Sequence, residues 1–480
     1  MSEIVSAAWW ESKLVLRLDF VAVVAAIVIV CRVALEEDLG WVAGVIAGVA
    51  VVFLTVSRWP YGALLVLIAT SAMPRFFTEF FGWKARPEHF AVVIVSSAAV
   101  VWFLLHKRQV RFEKIDYWIL AYLAINYISS AFGSSEPSAT LRWALQNNLA
   151  VLPYFLIRFL VRDLETLGKA FRILLGVGIA ESIYGILCYA SQHAFGTTAG
   201  MEIGQYFVDI AAPYGSLYEP NLFGAYTACC AVLFLALYLA ERKHHFSYLI
   251  GFLTASLAAV LSFSRAALFA LIIVSGLVFW RARNRQNGHR SKVATLILAY
   301  GLASAIAATA IGGVLQERFA NLFYQGFAEE TAISRFLIIQ EALQDVPRHP
   351  LLGTGTASFN LSFDWTRYIP EWASDKTWIG NAPLRILHDT GLIGLTTVLG
   401  FLVSVWWKIR RCLRAQNDQF SMILGLAAGA LLYCISFQST DGTILAFSWV
   451  HLGFLASAAI LTNNPSHNLS GIQSVPNGAG

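Results

Sequence analysis

Charge is what this sequence has least of. Asp, Glu, Lys and Arg make up 13% of its 480 residues and apolar residues 57%, with a mean hydropathy of +0.62. Soluble domains carry about 25% charged residues, so a chain this apolar excludes the soluble globular class. Cysteine is scarce too. Cys31, Cys188, Cys229, Cys230, Cys412 and Cys434 lie in or beside apolar segments, and no CxxC or Cys/His spacing suits a metal. Neither disulfides, zinc nor any cofactor is expected. The net charge is +5, and no basic patch is interleaved with base-stacking aromatics, which argues against a nucleic-acid partner. The start, Trp9-Trp10-Glu11, lacks a small-residue cleavage site, so the first apolar segment is expected to remain as an anchor.

What is present is a series of long apolar runs. A helix needs roughly 20 apolar residues to cross the hydrocarbon, and about 12 to 14 stretches qualify. They fall near 19–35, 39–56, 61–72, 89–105, 115–132, 143–161, 170–190, 222–240, 246–262, 266–280, 293–312, 384–407, 420–436 and 444–461; the short 61–72 stretch suits a re-entrant segment as well as a span. The expected fold class is therefore an all-α polytopic membrane protein. Basic residues occupy alternate gaps: Arg58, then Lys107/Arg108/Arg111/Lys114, Arg162/Lys169/Arg172, Arg242/Lys243, Arg281 to Lys292, and Lys408/Arg410/Arg411/Arg414. The positive-inside rule makes these gaps cytoplasmic, and with them both termini. The acidic Glu36-Glu37-Asp38, the 191–221 loop and a large polar loop over 313–381 are then external. Residues 1–462 read as one membrane domain, and the Asn/Ser/Pro/Gly-rich 463–480 as a disordered cytoplasmic tail.

Chemistry concentrates at the external gaps. Arg265 follows Ser262-Phe-Ser264 where two spans meet; it reads either as an arginine snorkelling to headgroups or as a cation holding a phosphate group through bidentate bonds. Arg335 lies on an amphipathic stretch, Thr331 to Gln344, with Ile333, Phe336, Leu337 and Gln340 on one face, suited to the membrane surface. Two arginines beside a membrane suggest a phosphate-bearing substrate. In His349-Pro-Leu-Leu-Gly-Thr-Gly355 the glycines permit positive φ and close backbone approach. Glu219 and Asn221 open the eighth span either as capping groups or facing an external cleft. Arg142 is read as opening span six, and Arg75, Lys84 and Arg86 as interfacial anchors. Glu181 falls mid-span, where an acid is either functional or satisfied by a buried partner or a proton. If a helix starts near Pro383, then Arg385, His388 and Asp389 share a face at i, i+3 and i+4, beside Asn381, and His388 and Asp389 become candidate acid/base groups. Glu371, in the loop, is a further acid candidate. Tyr324, Trp365, Tyr368, Trp372 and Trp378 are placed to stack on sugars or to anchor the loop.

Glu219-Pro-Asn-Leu-Phe-Gly-Ala-Tyr226, Ser262-Phe-Ser-Arg265, Ser334-Arg335 with His349 to Gly355, and Asn381 to Gly394 together resemble the O-antigen ligase and O-antigen polymerase superfamily. The resemblance covers roughly 219–410. It implies a GT-C-like fold in the bacterial inner membrane, with a periplasmic site that moves a glycan from undecaprenyl pyrophosphate to an acceptor hydroxyl, without a metal. It also implies that Arg265 and Arg335 grip the pyrophosphate, and that polysaccharide chain-length or flippase proteins are partners. Where ligases carry a His-Asn pair this sequence has Gly380-Asn381, which favours polymerisation of O-antigen or exopolysaccharide repeat units over ligation to lipid A core, with His388 as substitute. A flippase-like transporter is the reading from another class, and Glu181 is the feature that favours it.

Overall fold

The computed structural model describes residues 40–80, 83–107, 110–203, 211–241, 246–283, 292–295, 330–364, 377–415 and 419–463. The expected first anchor, most of 293–312, Glu371, Tyr324, Trp365, Tyr368, Trp372 and the 464–480 tail lie outside them. The chain divides into two compact units, Met1–Val66 and Leu67–Gly480. In the first, helix α1 (Gly40–Ser57) is followed by a turn so tight that a Cβ on Gly62 would meet the Leu54 carbonyl oxygen at 1.9 Å. Helix α2 (Tyr61–Ser71) begins after this turn.

The second unit is an all-α polytopic membrane architecture. Its helices are α3 (Pro87–Leu105), α4 (Lys114–Phe132), α5 (Pro137–Val151), α6 (Pro153–Leu160), α7 (Leu164–Phe195), α8 (Pro220–Ala240), α9 (Phe246–Leu261), α10 (Arg265–Ala282), α11 (Glu330–Asp345), α12 (Phe359–Ser362), α13 (Ala382–Ala415), α14 (Phe420–Ser436) and α15 (Ala446–Asn463). Among the described residues, six helices are long and apolar enough to cross a membrane: α3, α7, α8, α10, α13 and α15; α2, α9 and α14 are shorter apolar helices. Two small antiparallel ribbons lie in the loops. β1 (Thr78–Phe80) pairs with β2 (Trp83–Ala85), and β3 (Met201–Glu202) with β4 (Ala212–Pro213).

Helix α8 is the centre of this unit. It is apolar on every side, which in a helix means burial on every side, and each residue from Leu222 to Ala240 is buried. Small residues let its neighbours approach: a Cβ on Gly251 would strike Phe234, and one on Gly425 would sit 3.3 Å from Leu233 and Ala236. Close backbone approach through small residues is the usual packing mode where lipid supplies no hydrophobic drive between helices.

Some boundaries differ from the sequence reading: the span expected over 170–190 runs Leu164–Phe195 and that over 384–407 runs Ala382–Ala415. The span expected over 143–161 starts at Pro137 and breaks at Leu152-Pro153, because proline cannot donate within a helix. Arg142 therefore does not open it; it lies one turn in, exposed, with Nε donating to Ser138 O at 3.2 Å. The loop helix, Glu330–Asp345, agrees with the expected stretch within one residue at each end. Its buried face is Ile338 and Ala342, packed with Phe359, Ile379 and Leu384. Phe336, on the face suited to the membrane surface, is 64% exposed.

Candidate functional site

One end of the Leu67–Gly480 bundle gathers the polar residues. Helix α13 carries most of them, and it is broken at Gly391 (φ 64°, ψ −167°). A break orphans backbone groups on both sides, and the His349 to Gly355 segment supplies their partners. Thr354 N donates to His388 O at 2.9 Å and Gly355 N to Asp389 O at 3.0 Å; Leu392 N donates to Pro350 O at 2.9 Å. Gly353 and Gly355 have φ of +73° and +94°. A Cβ on Gly353 would lie 2.5 Å from His388 O, so both properties expected of these glycines are used. Ala357 pays for the same tight path with φ +59°, a strained value for a residue with a Cβ.

Before the break, Arg385, His388 and Asp389 lie on one face, as the i, i+3, i+4 spacing predicts. Arg385 Nη1 donates to Asp389 Oδ2 at 3.1 Å, its Nη2 to Thr443 Oγ1 at 2.7 Å, and its Nε to Asp441. Asp389 also accepts from Ala357 N at 2.9 Å, while the Ser129 hydroxyl donates to its carbonyl. His388 faces two carboxylates, with Nδ1 3.2 Å from Asp389 Oδ1 and Nε2 3.6 Å from Asp345 Oδ2. His388 and Asp389 are buried, at 2% and 1% exposure. Asp345 ends the loop helix α11. The bond from His388 holds its carboxyl below the usual range against burial, with help from Arg348 and His349. This contact fixes the helix that carries Arg335 to the broken helix.

Asn381 caps α13: its Oδ1 accepts from Leu384 N at 2.9 Å and its Nδ2 donates to Gln438 O at 2.9 Å. Glu219 stands just before α8 and accepts from Thr440 Oγ1 at 2.5 Å. Burial pushes its carboxyl up, the Thr440 bond and the Arg335 guanidinium pull it down, and Asp441 pushes it up again. Arg335 is exposed. Asn221 is half-buried one residue into α8.

Arg265 is the first residue of α10. Ser264 caps that helix, accepting from Ala267 N at 3.4 Å, and Ser262 Oγ accepts from Ser264 N at 3.2 Å. A cation at a helix N-terminus opposes the macrodipole, so local helix stability does not explain it. The turn packs on α8 one turn beyond Glu219: a Cβ on Gly224 would lie 2.4 Å from Ser262 Oγ and 2.9 Å from Ser264 Cβ. Two helix N-termini therefore adjoin here.

Several partners went unnoticed in the sequence. Thr440, Asp441 and Thr443 come from the turn between α14 and α15, where the polar run Gln438-Ser-Thr-Asp-Gly-Thr443 between two apolar helices was the available signal. Asp345 and Ser216 carried none. Of the expected anchors, Arg86 is buried instead, paired with Glu88 at 2.8 Å and donating to Ile444 O at 3.2 Å. Trp378 packs edge-on against Trp143 at 5.1 Å. Glu181 is satisfied by Ser216, whose N–H donates to its Oε1 at 2.8 Å. No group of three or more metal-ligating side chains occurs among the described residues.

A bundle of apolar helices with Arg385, Asp389 and Asp441 paired at one end defines a polytopic membrane protein with a polar site at its rim. Residues 250–399 match the family described as O-antigen ligase, a likeness consistent with the O-antigen ligase/polymerase superfamily. The match spans Arg265, Arg335 and the broken helix. No curated protein matches the chain.

Proposed function

We propose that this protein is a glycosyltransferase that polymerises lipid-linked O-antigen or exopolysaccharide repeat units, from an undecaprenyl-pyrophosphate donor, at the periplasmic face of the inner membrane. The observation that carries the reading is the match of residues 250–399 to the family described as O-antigen ligase, a stretch that holds Arg265, Arg335 and the broken helix. Departure of pyrophosphate develops negative charge, and fixed cations stabilise it best in a site shielded from water. Arg335, with the adjoining N-termini of α8 and α10 and Arg265 at the second, supplies that field. The exposed apolar face of α11, with Phe336 and Leu343, suits contact with the bilayer and the polyprenyl chain.

His388 and Asp389 stand as candidate acid/base groups from their spacing. Their burial and their bonds to Asp345, Arg385 and Ala357 support a positioning role, holding α11 against α13. Glu219 is the carboxylate facing Arg335, and its upward push suits transfer of the acceptor proton. Gly380, at the place where ligases carry histidine, supports polymerase over ligase.

The test uses purified protein in nanodiscs with lipid-linked repeat units. Wild type should lengthen them, and Arg335→Ala and Glu219→Gln should each lower turnover about a hundredfold at normal expression. In a deletion strain, core carrying single repeats marks a polymerase, and core carrying none marks a ligase. Near-normal polymer from both variants would remove this site assignment.

A further inference from the structure

Glu219 is the N-cap residue of α8, yet its side chain does not cap. An acid in that place ordinarily accepts from an amide of the first turn, whereas the Glu219 side chain makes no capping bond. It turns instead to the loop between α14 and α15, where Thr440 Oγ1 donates to its Oε1 at 2.5 Å. Among the described residues this is the only hydrogen bond to the carboxyl. Thr440 is buried and Glu219 half-buried, so Oε1 is held from the interior while Oε2 meets no donor from the described residues.

The loop that carries Thr440 is fixed from several sides. Arg385 Nη2 donates to Thr443 Oγ1 at 2.7 Å and its Nε pairs with Asp441, which also accepts from Thr443 N at 2.8 Å. Arg86 Nη2 donates to Ile444 O at 3.2 Å, Asn381 Nδ2 to Gln438 O at 2.9 Å and Trp449 Nε1 to Thr443 O at 2.7 Å. Both arginines are buried. A guanidinium is costly to bury even when paired, and a turn between two apolar helices needs none, so two of them on one turn point to the group it holds in place. A carboxylate oriented through one oxygen and open at the other has the arrangement of a general base steadied by a third group.

We propose that Thr440, beyond the matched residues 250–399, is a positioning residue of the transfer reaction: it holds one oxygen of Glu219 so that the other meets the acceptor sugar hydroxyl. The inference rests on the transferase reading above, with Glu219 as proton acceptor. A hydrogen bond to the charged form favours that form, so losing the Thr440 donor lets the burial of Glu219 push its carboxyl further up. The charged groups around Glu219 are Arg335 on α11, Asp441 on the loop and Glu202 on β3. Glu202, itself pushed up by burial and by Glu219, is the other acid whose titration enters a pH profile.

The experiment measures kcat against pH for full-length wild type, Thr440→Val, Thr440→Cys and Thr440→Ser in nanodiscs with lipid-linked repeat units, each also in a Glu202→Gln background. On the acid side kcat falls as the base takes a proton. Thr440→Val, of similar shape and without the donor, should move that limb up by about one pH unit, lowering kcat about tenfold below the limb and approaching wild type above it. Thr440→Ser should restore the wild-type limb. Thr440→Cys, a weak donor, should lie between, and it carries the test if valine prevents folding. An unmoved limb in Thr440→Val, or a loss in all three variants that is the same at every pH, overturns the proposal while leaving Glu219 as the base. So does a shift that disappears in the Glu202→Gln background. An active Glu219→Gln removes the base assignment, and wild type inert on lipid-linked units removes the transferase reading; either takes this inference with it.

Discussion

Glu181 illustrates how a single side chain separates readings of the whole protein. Ser216 Oγ lies 2.6 Å from both Glu181 Oε2 and the Ala72 carbonyl oxygen. A hydroxyl has one proton and a carbonyl none, so both contacts are hydrogen bonds only if the carboxyl supplies the second proton. Glu181 ties α7 to the loop after α2 through Ser216, the buried-partner reading of this acid. Glutamine reproduces this pattern, with its amide donating to Ser216 Oγ and its carbonyl accepting from Ser216 N. Glu181→Gln should therefore unfold within about 1 kcal/mol of wild type, while Glu181→Ala, which orphans a buried N–H, should cost about 1–3 kcal/mol. Thermal unfolding in detergent reads both. If glutamine is as damaging as alanine, the negative charge is needed and a transport role returns. The sequence revealed Glu181 as an anomaly, because an acid among apolar neighbours is visible in one dimension. Its partner was not, since Ser216 lies 35 residues away in a loop whose path no periodicity predicts.

Among the elements, the helix boundaries were legible and the break in α13 was not. Expected starts at 89, 115, 222, 246 and 420 lie within two residues of Pro87, Lys114, Pro220, Phe246 and Phe420, because the apolar runs end where proline and polar residues begin. Gly391 looked like one more helical glycine. What sets its conformation is the loop docked on it: a Cβ there would lie 2.2 Å from Leu351 O. The opposite face of α11 was not legible either, since Ile338 and Ala342 dock on Phe359 and Ile379, which arrive from elsewhere. Gly391→Ala should therefore destabilise the protein by at least about 2 kcal/mol, combining a left-handed φ with a backbone clash. It should also lower polymer yield, by loosening the hold of His388 on Asp345. Unfolding in detergent checks the first effect and polymer length the second. Wild-type stability in Gly391→Ala would mean the break relaxes to a regular helix at no cost.

Over the whole molecule, the two ends of the Leu67–Gly480 bundle differ in kind. The turns at 72–80, 83–86, 133–136, 196–203, 211–219, 262–264, 349–357 and 437–445 share one end, with the Arg86–Glu88 and Arg385–Asp389 pairs beside them; the buried Asp116–Arg158 pair lies toward the other. At the other end Arg281 donates to Leu413 O at 2.6 Å, Lys408 lies 3.5 Å from Glu113 and Asn463 donates to Lys408 O at 3.2 Å. These basic residues are the ones whose alternation suggested a cytoplasmic face, and the folded contacts group them without reference to that rule. Moving an arginine to the bilayer centre costs roughly 2.5–3.5 kcal/mol on insertion scales, so a cluster of several at one end fixes orientation strongly. In a cysteine-free background, Gln344→Cys on α11 should react with an impermeant maleimide in intact spheroplasts. Arg411→Cys, exposed at the opposite end, should react only after permeabilisation. The reverse pattern would put the polar rim in the cytoplasm, where a periplasmic glycan could not reach Glu219 or Arg335, and the proposed reaction would have to be abandoned. Labelling of both positions in intact cells would show instead that the cells had leaked, and Arg411→Cys serves as that control.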